Sequence, residues 1–382
     1  MMNNVLDFTK CSNCGACYNS CPTSAIRVNA NDMFYSLSVD SEKCINCGVC
    51  KAVCPVNHPE QKQNLIHAYM GYNKNATVVK NSSSGGIFAA VAQHILGNGG
   101  KVFAAVFSDD YRTVEFKSSD ETSLEELMRS KYVESCVGNS FQNIKKHLDD
   151  GYPVLFCGAP CQVAGLKRFL KSDYANLITC DFSCEGMASH KTYAEYLQNI
   201  ESKFKAPICN VNFRAKLYGW SRHSIKIDAQ NGKQYKNFAM ADPYFYSFIG
   251  TAMNIRDYCT ECEFPENHYA DIILADFWAY SRLSKVKNDD TGLSLVISNS
   301  LKGEEILAAI SNQVIFTKLD LEKASYNMKN KMYSTDFLQK REAFIENCRT
   351  KGFLNTMKKV KMPSKTKLML RYCLGKIKNK VR

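Results

Sequence analysis

The chain has 382 residues, 45% of them hydrophobic and 23% charged, an ordinary globular composition with room for two or three domains and a sizeable core. Its eighteen cysteines would mark a secreted disulfide scaffold only in a short chain with a leader, and Met1 to Lys10 contains no apolar signal core. No run of 18 apolar residues is present, so no spanning helix is expected. The net charge of +12 is uneven: residues 323–382 hold 17 Lys and Arg against Asp336, Glu342 and Glu346, leaving a body with 32 basic and 34 acidic side chains. The basic tail reads either as a solvated helical terminus or as a contact for a membrane surface or another anionic partner; nothing points to a specific nucleic acid.

The N-terminal 54 residues carry one cysteine pattern twice. Cys11, Cys14, Cys17 and Cys21 precede Pro22, and Cys44, Cys47, Cys50 and Cys54 precede Pro55. Both read C-x2-C-x2-C-x3-C-P, the run that holds [4Fe–4S] cubanes in bacterial ferredoxins. A tight loop wraps three corners of a cluster, and in two-cluster modules the fourth thiolate is exchanged between runs. Cluster I is therefore expected on Cys11, Cys14, Cys17 and Cys54, and cluster II on Cys44, Cys47, Cys50 and Cys21. Gly15 and Gly48 stand where the loop must turn sharply. Zinc knuckles or disulfides ask for neither the third cysteine step nor the C-P ending. Open thiolates need a reducing compartment, so a cytoplasmic protein is expected.

Residues 1–58 read as this module, with short helices after the cysteine loops and a strand at Ser36–Val39, and residues 58–64 as a polar linker. From Leu65 the texture is mixed. Helices are predicted over Gly85–Leu96, Ser123–Ser130, Ser140–Asp149, Ala164–Leu170, Lys191–Phe204, Lys302–Ile310 and much of 319–380. Strands are predicted over Lys101–Phe107, Thr113–Lys117, Pro153–Phe156, Leu177–Asp181, Asp271–Ala275 and Leu293–Ile297, with 208–238 as strands turning at Asn231–Gly232. Strands and helices do not alternate cleanly, which favours α+β over doubly wound α/β. The expected domains are residues 1–58, 65–320 and a basic helical extension, 321–382.

Ten cysteines lie outside the module. Cys161 follows one buried strand, Cys184 follows another, and Cys259 and Cys262 form a C-x2-C pair. Spacing alone leaves a third cluster, a zinc site and a redox disulfide open. Cys136, Cys157, Cys180, Cys209, Cys348 and Cys373 read as buried thiols. Ser82-Ser83-Ser84-Gly85-Gly86 opens a helix, where free N–H groups suit phosphate, although a plain N-cap has the same look. It is not G-x-G-x-x-G, so a Rossmann site is not supported.

Several of these segments, in one order, resemble the coenzyme F420 hydrogenase/dehydrogenase beta-subunit family. They are Ser83-Ser84-Gly85-Gly86, Ser130-Lys131-Tyr132-Val133-Glu134-Ser135, Gly158-Ala159-Pro160-Cys161-Gln162, Cys184-Glu185-Gly186, Arg256-x2-Cys259-x2-Cys262, Asp271-Ile272, Asp276-Phe277-Trp278 and Gly292-Leu293-Ser294. The resemblance implies a third [4Fe–4S] cluster on Cys161, Cys184, Cys259 and Cys262. It also implies an FAD, or less favourably an FMN, near Ser84, Gly85 and Gly86, with Lys131, Tyr132 and Ser135 as second contacts. The chain departs from the pattern at Glu185, where relatives often have His, and at Cys157, a thiol close enough in sequence to compete with Cys161.

The implied function is an iron–sulfur flavoprotein oxidoreductase, exchanging electrons with a redox partner protein or ferredoxin and hydride with a small-molecule acceptor. Coenzyme F420, a nicotinamide, or an oxidised sugar or lipid intermediate all fit. A non-catalytic electron-transfer subunit and an accessory reductase of surface-polysaccharide synthesis are the alternatives. No catalytic side chain is singled out.

Overall fold

The computed structural model describes residues 6–58, 65–279, 289–325 and 331–380. The linker expected at 58–64 therefore lies outside them but for its first residue. In the N-terminal module, β1 (Ile26–Asn29) and β2 (Ser36–Val39) form an antiparallel hairpin with Ile26 opposite Val39. Each cysteine run leads into a one-turn helix, Ala16–Asn19 or Val49–Ala52. Gly15 (φ +90°) and Gly48 (φ +74°) precede those helices in the left-handed region, where a side chain would be strained.

The body is built on a nine-stranded mixed sheet and a three-stranded one. The strands are β3 (His67–Asn73), β4 (Lys101–Phe107), β5 (Val114–Ser118), β6 (Ser135–Cys136), β7 (Val154–Cys157), β8 (Leu177–Phe182), β9 (Ile208–Ala215), β10 (Ser224–Ala229), β11 (Gln234–Phe238), β12 (Ile272–Asp276), β13 (Ser294–Ser298) and β14 (Val314–Leu319). The large sheet runs β14-β3-β13-β12-β8-β7-β4-β5-β6, and the small one β11-β10-β9. Strands β4, β7, β8 and β12 are mutually parallel, and β13 runs against both β12 and β3. It follows that β3 points the same way as β12. The carboxyl ends of five strands share one edge of the sheet.

Helices cover both faces, and β7 makes the reason visible. Val154 and Phe156 pack with Phe141, Ile144 and Leu166 of the Ser140–Asp149 and Pro160–Leu170 helices. Leu155 and Cys157 point the other way, towards Ile87, Ala90 and Val91 of the Ile87–Gly97 helix and Leu307 of Leu301–Ala309. Two-residue alternation with apolar groups at every position gives a strand buried on both faces. The C-terminal helices Thr335–Lys351 and Phe353–Met357 place Phe344, Ile345 and Phe353 against Tyr193 and Leu197 of His190–Phe204. The fold is α+β, with a ferredoxin-like module ahead of a mixed-sheet domain.

Three expectations need correction. The helix predicted over Ser123–Ser130 is only Leu124–Leu127, capped by the Ser123 side chain and ended by extended backbone at Met128. The helix predicted from Ala164 begins at Pro160, since proline suits the first helical position, so Cys161 lies in a first turn and not in a loop. Cys209 and Cys373 are exposed rather than buried: Cys209 sits at an outward position of β9 and Cys373 on the terminal helix. Strands β3 and β14 have no counterpart in the prediction.

Candidate functional site

The first cysteine run is buried against the body. Ser12, Asn13, Cys14 and Cys17 are all below a tenth exposed. Burial pushes the Cys14 thiol up to about 12, and Cys11 and Cys54 add to that as neighbouring negative charges. The Cys17 thiol is raised for the same reasons, with Cys14, Cys11 and Cys54 around it. The structure thus brings Cys54 of the second run to the three leading cysteines of the first. Cys21 turns elsewhere and accepts the Ala25 N–H at 3.3 Å. The second run faces outward: Cys47 is exposed, and Ile45 beside it is 65% exposed. Ile45 occupies the position that in the first run belongs to buried Ser12.

The core cysteines meet at the carboxyl edge of the sheet. Cys161 follows β7, Cys184 follows β8, and these strands are adjacent. Cys259 lies in the short Asp257–Thr260 helix, and Cys262 follows it. All four line one cavity together with Ser12, Met187, Tyr258, Phe264, Lys331 and Tyr333. Burial raises each thiol, Cys184 and Cys262 to about 12 and Cys259 to about 11. Cys161 is raised well above its ordinary value, by burial first and then by Cys262, Cys184, Cys14 and Cys259. Burial and mutual repulsion favour the neutral thiols, so four thiolates side by side are costly unless a metal group supplies the compensating positive charge, and the donor set fits a thiolate-bound cluster. No three His, Cys, Asp or Glu side chains among the described residues converge tightly enough for a single metal ion. A cubane instead takes one thiolate per corner iron, with the body of the cluster between them.

Backbone amides already point at these sulfurs. The Asn13 N–H donates to Cys11 Sγ at 3.3 Å and the Gly186 N–H to Cys184 Sγ at 3.4 Å. Cys157 does not compete with Cys161. It lies on the opposite face of the sheet, in register with Cys180 of β8. Glu185 pairs with Lys331 over the mouth of the cavity.

The Ser82–Gly86 turn lies farther along the same edge, after β3. Its glycines have structural reasons of their own. A Cβ on Gly85 would lie 2.5 Å from the Gly71 carbonyl oxygen, and Gly86 caps the helix at φ +82°. The turn is gripped by two cations that carry no signal in the sequence. Lys216 Nζ donates to the carbonyls of Val79 and Ser84 at 2.6 and 2.9 Å. Arg214 donates to the Ser83 carbonyl, to Tyr132 Oη and, through two bonds, to Asp276. Burial and then Arg214 hold Lys216 down at about 8; burial and then Arg129 hold Lys131 at about 7. Lys131 donates to the Glu126 and Met128 carbonyls, and Ser130 donates to Ser83 Oγ. Ser84, Gly85 and Gly86 are therefore joined to Tyr132 through Arg214, whereas the Lys131 ammonium turns away to the Glu126 and Met128 carbonyls. Ser135 is not among them: its hydroxyl accepts from Gln162 and its carbonyl from Asn13. Arg214 and Lys216 went unforeseen because they grip backbone carbonyls from a distant strand, and no residue spacing marks such a partner.

Residues 10–58 match the model of the 4Fe–4S dicluster domain. Residues 152–323 match the model for the C terminus of the coenzyme F420 hydrogenase/dehydrogenase beta subunit. A chain of the F420-reducing [NiFe] hydrogenase complex from Methanosarcina barkeri, in its xenon derivative, aligns with 77% of this chain and 95% of its own length. The identity is 14% and the TM-score 0.45. No curated protein matches. The two family models thus make residues 152–323 similar to the C terminus of the coenzyme F420 hydrogenase/dehydrogenase beta subunit and residues 10–58 similar to a 4Fe–4S dicluster domain.

Proposed function

We propose that this chain is an iron–sulfur flavoprotein oxidoreductase with three [4Fe–4S] clusters and one FAD, acting between a one-electron protein partner and a small hydride acceptor such as coenzyme F420. Cys11, Cys14, Cys17 and Cys54 hold the first cluster, Cys44, Cys47, Cys50 and Cys21 the second, and Cys161, Cys184, Cys259 and Cys262 the third. Bound, the clusters supply single-electron transfer, and the flavin joins two such electrons into one hydride equivalent. The side chains supply placement. The Ile45–Cys47 loop presents the second site to a partner such as a ferredoxin. The Pro160–Leu170 helix seats the first site beside the core, with Tyr258 within electrostatic reach of Cys161, Cys262 and Cys54. Arg214 and Lys216 set the Ser83–Gly86 turn at the start of the Ile87–Gly97 helix, whose N-terminal N–H groups take the flavin phosphate.

The observation that carries this reading is the convergence of Cys161, Cys184, Cys259 and Cys262 next to Cys14. Two thiolate sets in contact through protein make a relay, whereas an isolated set would be only structural. No helix among the described residues is long and apolar enough to cross a membrane. Open thiolates suit a reducing compartment such as the cytoplasm. Anaerobic reconstitution followed by iron, sulfide and flavin analysis tests the reading. About 12 iron, about 12 sulfide and one flavin per chain are expected. About eight iron would remove the core cluster, and a fully loaded chain without flavin would leave an electron relay.

A further inference from the structure

We propose that the buried Arg256–Glu134 pair is a fixed-charge device that sets the reduction potentials of the first-run cluster and the core cluster together. The proposal rests on the reading that Cys161, Cys184, Cys259 and Cys262 hold a cluster. Arg256 is 8% exposed and Glu134 fully buried. The guanidinium donates to the Cys11 carbonyl at 2.7 Å, to the Tyr35 carbonyl at 2.8 Å and to the Glu134 carboxylate. It stands three residues before Cys259, and its positive charge is felt by both Cys11 and Cys259. One cation therefore lies between a ligand of each site.

The negative end of the pair lies beside the same two sites, against the first cysteine loop and within electrostatic reach of Cys259. Glu134 accepts from Asn13 Nδ2 at 3.2 Å and from the Tyr35 N–H at 2.8 Å. His190, whose ring stacks on Tyr35 at 4.1 Å, lies 3.5 Å from the same carboxylate. Asn13 and Tyr35 of the module and Arg256 thus hold Glu134 in place, so both charges of the pair are fixed beside the two cysteine sites. A buried ion pair is weak as a stabiliser, because desolvation offsets its attraction. Its field is another matter. Reduction adds negative charge to a cluster already carrying four thiolates. A nearby guanidinium favours that state and a carboxylate opposes it, and both act strongly where water is excluded. Arginine keeps its charge at any working pH, so the bias is constant.

Redox titration of the anaerobically reconstituted full chain, followed by electron paramagnetic resonance with iron analysis on every sample, tests this. Arg256→Gln is expected to lower the potentials of both the first-run and core clusters. Glu134→Gln is expected to raise them, and Arg256→Lys to stay near wild type. A purely mechanical latch would move Arg256→Gln and Glu134→Gln in the same direction. That result, unmoved potentials at full iron, or Arg256→Lys behaving like Arg256→Gln would overturn the proposal. Should Arg256→Gln lose its iron, Glu134→Gln decides, and the absence of a rise there overturns it. A wild-type chain with only about eight iron would overturn the core-cluster reading instead, and with it the claim that one charge serves two clusters.

Discussion

Gly165 is pressed so closely on Cys14 that a Cβ there would lie 3.0 Å from both the Cβ and the Sγ of that cysteine. Cys161, one turn earlier on the same helix, contacts the Ser12 carbonyl. A helix of the family domain thus forms one wall of the first cysteine loop. Gly165→Val should push that loop away. We expect it to lose about four of about 12 iron per chain, the share of one cubane, while the signals of the other two clusters persist. Iron analysis and electron paramagnetic resonance check this, and full wild-type loading would show the contact to be dispensable.

The exchange of fourth ligands gives a second expectation. Cys54 lies with Cys11, Cys14 and Cys17, whereas Cys21 is held by the Ala25 N–H at 3.3 Å. Cys21→Ser should therefore damage the cluster on Cys44, Cys47 and Cys50. Loss of the buried first-run cluster in that variant would reverse the assignment.

The exposed Ile45 belongs to the surface loop at which a protein donor would dock. Ile45→Asp should slow reduction by an external ferredoxin about tenfold, the effect of losing a central apolar contact of ~1.4 kcal/mol. Stopped-flow reduction measures this. All three midpoint potentials should stay put, and a changed potential would mean the variant had altered the cluster itself.

Flavin binding should depend on pH through Lys216. Without flavin its ammonium titrates at about 8, lowered from 10.5 by burial and by Arg214. An anionic phosphate favours the charged form, so above that pH binding must take up a proton. Affinity should be level below about pH 8 and fall as pH rises, towards about tenfold per pH unit for one coupled proton. Lys216→Met should bind more weakly at low pH and lose the dependence. A wild-type affinity constant across this range would separate Lys216 from the flavin.

The C-terminal extension braces the core cysteines from outside the matched family domain. Arg341 donates to the Ile255 carbonyl through Nε at 3.0 Å, and to Asp257 at 2.5 Å. Arg341→Ala would leave a buried carbonyl without its partner, at a cost of about 1–3 kcal/mol. Chemical denaturation should register that loss, and the loop bearing Cys259 and Cys262 should release iron sooner to a chelator. Unchanged stability would make the extension a passive cover.

The chain by itself determined the two ferredoxin runs and most of the elements. Covalent spacing is local: three thiols within seven residues can wrap one cluster wherever they stand, and Gly15 and Gly48 follow from the turn. Lys101–Phe107 was legible as a short apolar run rich in β-branched and aromatic residues, and Ser140–Asp149 because a 3.6-residue period reports which face is buried. Strands β3 and β14 were not, since an outer pair of a mixed sheet carries a mixed pattern that only its neighbours explain. Only the tertiary structure decided which thiols meet. It set Cys157 on the far face of β7, gathered Cys161 and Cys184 from adjacent parallel strands with Cys259 and Cys262, and brought Cys54 to the first run. It also laid Arg256 against Cys11, 245 residues away in the chain. Those pairings depend on strand order and on which elements exclude water between them, and no periodicity in the sequence encodes either.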